Sequence, residues 1–190
     1  MSQKGWYLLS LKCSKRVDSP SSEPESVPVA WDEKCSLLGI PTRLHRCGRP
    51  ADQNFESTEE LYRWFVPLPE AVQDNWIWHP VSSGDMSVNR GKYSVPEDVL
   101  YNTKDGNHRF GKARIATFLV EDISILSWNH PTEPSKNYKM RVIHEPEDCM
   151  YPHSNVQVLM NGDHIPPDKL PKTVKTQLRR DLTRLYKTRE

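Results

Sequence analysis

His144 and His153 stand at the two ends of an acidic, proline-containing stretch, HEPEDCMYPH. Imidazole side chains titrate near neutral pH, so two neighbouring rings can act as general acid and base or bind a metal ion. Glu145, Glu147 and Asp148 lie between them and can orient the rings or add oxygen ligands. We predict His144 and His153 as catalytic residues if the protein is an enzyme. The alternative is a connecting loop whose histidines bond to backbone groups.

A second polar stretch, GDMSVNRGKYS, surrounds a short strand-like segment. In a strand, Ser87 and Asn89 point to one side and Arg90 to the other. A polar strand face suits a phosphate group or a nucleotide. The sequence therefore predicts Ser87 and Asn89 as substrate-binding residues and Arg90 as a third catalytic residue. The alternative is an edge strand that faces solvent.

The chain order Arg63, Ser87, Glu121 resembles the Arg–Ser–Glu order of NAD-dependent ADP-ribosyltransferases. In that family the arginine and the serine hold the dinucleotide and the glutamate activates the acceptor. The resemblance implies the same roles here and adds Arg63 to the substrate-binding residues. The match covers only these three residues, the family's Ser-Thr-Ser run is missing, and Arg63 falls in a predicted helix. P-loop, Rossmann and H-E-x-x-H signatures are also missing from the sequence.

The four cysteines include no C-x-x-C pair. Cys35 and Cys47 are twelve residues apart and flank His45. These three residues form a zinc site only with a fourth ligand, which the sequence does not show. Buried or incidental free thiols are the preferred prediction for the cysteines. No cofactor is indicated.

The C-terminal segment predicts an amphipathic helix over residues 168–188. Apolar residues recur along it at spacings of four and three, which places them on one stripe. From residue 169 to residue 190, eight Lys or Arg stand against two acids, a net of +6, which leaves −5 for the rest of the chain. Lys172, Lys175, Arg179 and Arg180 are predicted to contact nucleic acid or a protein partner. The alternative is a solvated basic face on a helix that only docks by its stripe.

Several strands are predicted to position these residues. YKMRVIH and SNVQVLM both alternate apolar and polar residues, so we expect two antiparallel neighbours joined by the histidine stretch. Asn161-Gly162 predicts a tight hairpin turn after the second. MSVNR predicts a short strand. Residues 112–126 predict the longest strand, with a bend or break near Glu121.

Other segments predict short helices and irregular chain. Ser-x-x-Glu spacings predict helices over Thr58–Phe65 and around Pro96–Tyr101. Residues 1–17 contain a predicted N-terminal strand, and residues 18–34 a flexible linker rich in Ser, Pro and acids. The stretch NWIWHPVSS is predicted to be extended. Residues 35–190 are predicted to form a single domain.

Composition limits the class of protein. A chain of 190 residues with 36% hydrophobic residues and 16 prolines fits one domain with irregular parts. The predicted fold is α+β, a mostly antiparallel sheet with short helices and the basic amphipathic C-terminal helix packed on it. No apolar stretch approaches the roughly 20 residues of a membrane span, and no secretory signal is recognisable. We therefore predict no membrane association and a cytoplasmic location.

Two functions remain open from the sequence. The first is a non-enzymatic cytosolic binding or accessory protein of a larger bacterial assembly, with a protein partner or nucleic acid on the basic helix. The alternative is an enzyme, ADP-ribosyltransferase-like or phosphoesterase-like, acting on a nucleotide or another phosphate-bearing substrate. The enzyme hypothesis requires His144, His153 and Arg90 to share one cleft. The oligomeric state is not indicated.

Overall fold

The computed structural model describes residues 30–65, 86–107 and 113–189. In these ranges the chain forms a curled antiparallel sheet with a few helices, so the predicted α+β fold is confirmed. The strands are β1 Glu60–Phe65, β2 Met86–Arg90, β3 Arg114–Leu119, β4 Ser127–Asn129, β5 Asn137–His144, β6 His153–Met160, β7 Asp163–His164 and β8 Lys187–Arg189. The α-helices are α1 Ala30–Leu37, α2 Val120–Ser124 and α3 Lys172–Leu185, and 3₁₀ helices cover Thr42–Leu44, Pro96–Leu100 and Pro167–Lys169.

The strand order is β4-β5-β6-β2-β1-β3-β8, and β7 pairs with the end of β6. All of these strand pairings are antiparallel. Strands distant in sequence therefore lie side by side, and β2 sits between β1 and β6 in the middle of the sheet. The residues of β2 consequently meet side chains from two separate parts of the chain.

One face of the sheet, here called the inner face, carries the main core. Side chains alternate along each strand, so Leu61, Val88 and Phe118 point to the same side as Met140 and Val156. Helix α3 covers this face with its apolar stripe, of which Val174, Leu178 and Leu182 are buried. The predicted docking of the C-terminal helix by this stripe is confirmed. The helix is shorter than predicted, because residues 187–189 leave it to form β8.

The opposite face, here called the outer face, is covered by smaller elements. The 3₁₀ helix Pro96–Leu100 contacts β1, β2 and β3. A second small core lies beside it, with Ile40, Leu44 and Met150 among its buried residues. These elements leave part of the outer face accessible.

The hairpin prediction is confirmed. Met160 pairs with Asp163, so Asn161 and Gly162 form a two-residue turn. Both turn residues have positive φ, 53° and 99°, as the tight turns that match strand twist require. The predicted pairing of the two alternating strands is confirmed as well, since β5 and β6 are in register from Tyr138↔Met160 to His144↔Ser154. The predicted short strand corresponds to β2, and the 3₁₀ helix lies where the second short helix was predicted.

The predicted helix over Thr58–Phe65 is wrong, because residues 60–65 form β1. The Ser57–Glu60 spacing is a local signal. It is outweighed by hydrogen bonding to strands on both sides, β2 and β3, and by the strand preference of a Tyr, Trp and Phe-rich segment. The alternation of β1 puts Tyr62 and Trp64 on the outer face.

The predicted strand over residues 112–126 breaks where expected but does not continue. β3 ends at Leu119 and the chain turns into α2, in which the hydroxyl of Ser124 donates to the carbonyl of Val120. Helix α1, Ala30–Leu37, overlaps the predicted linker. Its sequence, AWDEKCSL, contains no proline, and Lys34 in its last turn is favourable beside the negative end of the helix dipole. The predicted N-terminal strand and the extended NWIWHPVSS lie outside the described residues.

Candidate functional site

His144 is buried on the inner side of β5, and both of its ring nitrogens are bonded to backbone. Nδ1 accepts the N–H of Asp52 at 2.8 Å, so Nε2 carries the proton and donates it to the carbonyl of Tyr151 at 2.6 Å. Burial holds the pKa of His144 below its ordinary value. The ring is therefore neutral and ties residues 50–54 to the loop between β5 and β6.

Arg90 is fully buried beside it. Its Nε and Nη2 donate to the carboxylate of Glu59 at 2.8 and 2.7 Å, and Nη2 also donates to the carbonyl of Asn54 at 2.7 Å. Nη1 donates to the carbonyl of Asp52, and the guanidinium lies 3.9 Å from the ring centroid of Phe55. Each guanidinium nitrogen is thus engaged inside the protein. This arrangement holds the segment before β1 against β2.

Asp52 connects this buried cluster to the surface. Its carboxylate accepts hydrogen bonds from the hydroxyl of Tyr93 and from Nζ of Lys92, and these bonds hold the pKa of Asp52 well below its usual range. Burial, together with the bond to Asp52, raises the pKa of Tyr93 to about 12. Tyr93 therefore stays protonated and acts as a hydrogen-bond donor.

His153 lies on the other side of the sheet. His144 is paired with Ser154, and His153 is the next residue along β6, so the two imidazoles point to opposite faces. Arg90 shares the inner face with His144. The structure therefore does not bring His144, His153 and Arg90 into one cleft, which corrects the prediction of a common catalytic centre. Strand alternation is the physical reason.

A cleft of about 170 Å³ opens on the outer face. We call it the outer cleft. Its polar lining includes the predicted residues Ser87, Asn89, Arg63 and His153. Glu147, considered as a partner of the histidines, and Trp64, a candidate for base stacking, also line it. The sequence interpretation missed the remaining lining residues: Tyr62, Val88, Val99, Tyr101, Thr103 and Met150. The alternation of Tyr62 and Trp64 in ELYRWF was the available signal, and it was hidden by the predicted helix.

Strand register sets the floor of the outer cleft. Tyr62 on β1 is opposite Asn89 on β2, and Asn89 is opposite His153 on β6, so the three side chains form one row across the sheet. Nδ1 of His153 is 2.7 Å from the carbonyl of Glu145, which makes Nδ1 the protonated nitrogen in the neutral ring. Nε2 is then the nitrogen available to other groups.

Arg63 closes the gap where the β1–β2 ladder ends. Its guanidinium donates to the carbonyl of Ser87, beyond Tyr62↔Asn89, the last pair of the two strands. Desolvation by burial lowers the pKa of Arg63 to about 10. Glu121 is exposed at the start of α2, where its N–H donates to the carbonyl of Ser57 before β1 begins. The structure therefore does not assemble the Arg63, Ser87 and Glu121 arrangement implied by the resemblance.

The cysteine prediction is wrong for three positions. Cys35 and Cys149 form a disulfide, and Cys47 is also disulfide-bonded. Nε2 of His45 is 2.9 Å from the carbonyl of Ile40, so the Cys35, His45 and Cys47 zinc arrangement is not formed. Within residues 30–65, 86–107 and 113–189, no three His, Cys, Asp or Glu side chains converge as metal ligands. Since 114 residues separate Cys35 from Cys149, only the fold reveals their pairing.

The basic side of α3 faces away from the sheet. Lys172, Arg179 and Arg180 are exposed and Lys175 is half-buried, as predicted for a helix docked by its apolar stripe. Within the described part of the chain, no carboxylate pairs with Lys172, Lys175 or Arg179, whereas Arg180 lies 3.6 Å from Asp181.

Among the described residues, no helix has the length and apolar character needed to cross a membrane. Comparisons of the chain with protein-family models, with curated proteins and with solved structures each found no match.

Proposed function

We propose that the protein is a non-enzymatic nucleic-acid-binding protein that uses the basic face of α3, formed by Lys172, Lys175, Arg179 and Arg180. The observation that supports this proposal is the division of the helix into two sides. Val174, Leu178 and Leu182 are buried in the core. On the other side, Lys172, Lys175 and Arg179 have no carboxylate partner in the described part of the chain, and Arg180 lies near Asp181. Exposed cations of this kind can neutralise backbone phosphates.

The arrangement of charge along α3 favours a polyanion. Lys172, Lys175 and Arg179 follow one another at spacings of three and four, so they lie on one stripe about 10 Å long. The one acid inside the helix, Asp181, accepts hydrogen bonds from Nε1 of Trp128 and Nε2 of Gln177, both at 2.7 Å. These bonds turn its carboxylate toward β4. Its negative charge therefore weakens the basic face less than a solvent-exposed acid would.

The enzyme alternative is the weaker proposal. It depended on His144, His153 and Arg90, of which two are fully engaged in buried bonds and the third lies on the opposite face. A binding role requires no such convergence, because phosphate contacts are made by individual exposed cations.

Salt dependence tests the nucleic-acid proposal. The affinity of the oxidised protein for labelled duplex DNA and for single-stranded RNA is measured by fluorescence anisotropy. Three phosphate contacts on a duplex give a slope of about −2.7 in log affinity against log salt, or about a 40-fold loss between about 50 and 200 mM salt. The triple variant Lys172→Gln/Lys175→Gln/Arg179→Gln should bind more weakly and lose most of this slope.

A second triple variant is the matched control. Lys34→Gln/Lys104→Gln/Arg114→Gln removes the same charge from exposed positions outside α3. It should bind almost as tightly as the unmodified protein. An affinity that does not respond to salt, or an equal loss in both triple variants, contradicts the proposal. Thermal melts of both variants show whether either change has altered folding.

We also propose that the protein works in an oxidising environment rather than in the predicted cytoplasm. Cys35, Cys47 and Cys149 are bonded, and disulfides are rare in proteins kept in contact with cytosolic reductants. The redox state can be measured by rapid alkylation of native cell fractions followed by peptide mass spectrometry. Recovery of Cys35 and Cys149 as thiols in freshly trapped samples would count against this setting.

A further inference from the structure

We propose that the outer cleft binds a neutral planar heteroaromatic ligand of the purine-base type. The site is independent of the basic face of α3, because the two lie on opposite sides of the sheet. Its volume of about 170 Å³ is similar to the roughly 150 Å³ of an engineered protein cavity that binds benzene. A single ring system therefore fits the cleft, with the rest of a larger ligand outside.

The polar floor of the outer cleft contains an incompletely bonded amide. Asn89 is only 5% exposed, and its Nδ2 donates to the thioether sulfur of Met150 at 3.2 Å. Sulfur is a weak acceptor, and no described residue donates to Oδ1 of Asn89. Buried side-chain amides are normally fully bonded. A ligand with adjacent donor and acceptor atoms would supply what this amide lacks.

His153 and Ser87 add polar atoms on either side of Asn89. The bond from Nδ1 of His153 to the carbonyl of Glu145 fixes the ring and leaves Nε2 as an acceptor in the neutral form. Ser87 stands two residues before Asn89 on β2 and therefore points to the same face. The floor thus presents an amide edge, an acceptor and a hydroxyl to one ring.

The walls supply the contacts that a planar ring needs. Tyr62, Trp64 and Tyr101 provide aromatic surface, and Val99 and Met150 provide apolar surface. Aromatic side chains stack on the faces of bases irrespective of their sequence. The amide of asparagine can make two hydrogen bonds to the N6 and N7 edge of adenine. This combination of stacking walls and an amide floor favours a purine over a saturated or purely apolar ligand.

The charges around the outer cleft favour a base or nucleoside over a free phosphate. Among the described lining residues Arg63 is the one Lys or Arg, and its guanidinium already donates to the carbonyl of Ser87. Glu147 also lines it and adds negative charge near Nε2 of His153, at 3.7 Å. From the described residues, a phosphate inside the cleft would meet the carboxylate of Glu147 and a guanidinium already bonded to a carbonyl.

The test compares two amide variants on the same face. Asn89→Leu removes the hydrogen-bonding groups and keeps the number and branching of the side-chain heavy atoms. Gln157→Leu makes the same type of change at a buried amide of β6 outside the cleft. Calorimetric titrations use adenosine, uridine and adenosine monophosphate as probes. We expect adenosine to bind the unmodified protein more tightly than uridine. Asn89→Leu should weaken adenosine binding by about tenfold or more, while Gln157→Leu changes it less than about twofold.

Chemical-shift mapping of the unmodified protein keeps the proposal testable if Asn89→Leu does not fold. Adenosine should shift the side-chain amide of Asn89 and the indole N–H of Trp64. Shifts confined to other residues, equal binding by Asn89→Leu, or no binding of any probe at millimolar concentration would overturn the proposal. Tighter binding of the monophosphate than of adenosine would overturn the exclusion of phosphate.

Discussion

Removal of the Cys35–Cys149 disulfide should destabilise the protein strongly. The double variant Cys35→Ala/Cys149→Ala opens a link between residues 114 apart in the sequence. The chain-entropy relation for a closed loop of that length gives about 5 kcal/mol, and removal of native disulfides typically lowers stability by about 2 to 5 kcal/mol. We therefore expect the free energy of unfolding to fall by about 3 to 5 kcal/mol.

Thermal and urea unfolding measure this effect. For a chain of this size, each kcal/mol shifts the melting temperature by about 2 to 4 °C, so the double variant should melt about 6 to 20 °C below the unmodified protein. Both proteins are kept oxidised, which leaves the Cys47 bond intact and isolates the Cys35–Cys149 contribution. Adding reductant to the double variant then reports the separate effect of opening the Cys47 bond.

The same perturbation should reach the outer cleft. Cys149 immediately precedes Met150, which lines the cleft and accepts from Asn89. Loosening this loop should weaken adenosine binding even at temperatures where the variant is folded. The reasoning is refuted if the double variant and the unmodified protein unfold within about 0.5 kcal/mol of each other, which is the usual range of a neutral surface substitution.

Three further predictions concern stability. Glu59→Gln weakens the buried ion pair between Glu59 and Arg90 and should lower the free energy of unfolding, measured by urea titration, by up to about 3 to 5 kcal/mol. The control Glu56→Gln, at an exposed position, should change it by less than about 0.5 kcal/mol. Burial holds the pKa of His144 in the folded protein below its value in the unfolded chain. The stability that neutral His144 contributes is therefore fully present above about pH 6.5 and is lost as the pH falls through the folded pKa. Urea titrations between about pH 7 and 5 should show that the free energy of unfolding depends less steeply on pH in His144→Gln than in the unmodified protein. Gly106→Ala should lower the melting temperature more than Gly39→Ala, because both residues have positive φ but only at Gly106 would a Cβ overlap a neighbouring carbonyl oxygen.

The parts of the fold that the sequence predicted correctly are those with local patterns. Asn161-Gly162 has the backbone preferences of a tight turn, and the flanking alternation fixes which side of β5 and β6 faces the core. The spacing from Val174 to Leu182 likewise defines the docked side of α3 without knowledge of its partner. These features depend on residues within about ten positions of one another.

The parts that the sequence did not predict depend on distant pairing. β1 carries a helix-like start signal, and only its hydrogen bonds to β2 and β3 make it a strand. The row of Tyr62, Asn89 and His153 exists because β2 lies between β1 and β6, a strand order that local patterns do not specify. Five lining residues of the outer cleft, Arg63, Ser87, Asn89, Glu147 and His153, were nevertheless identified individually as polar candidates. Their grouping, and the separation of His144 from His153, required the register.

The division of the sheet into two faces connects these observations. Strand alternation sends successive side chains to opposite faces of the sheet, and a helix docked by one apolar stripe covers only the face on which it lies. Here α3 covers the inner face, and Arg90, Glu59 and His144 complete that side with satisfied buried bonds. Among the described residues, short elements held in place by the Cys35–Cys149 bond cover the outer face, and they leave Asn89 buried but incompletely bonded. The polar groups best placed to bind a ligand are therefore those that the fold holds in place without giving them all their hydrogen-bond partners. They lie on the outer face, opposite His144 and Arg90, which the sequence had favoured as catalytic.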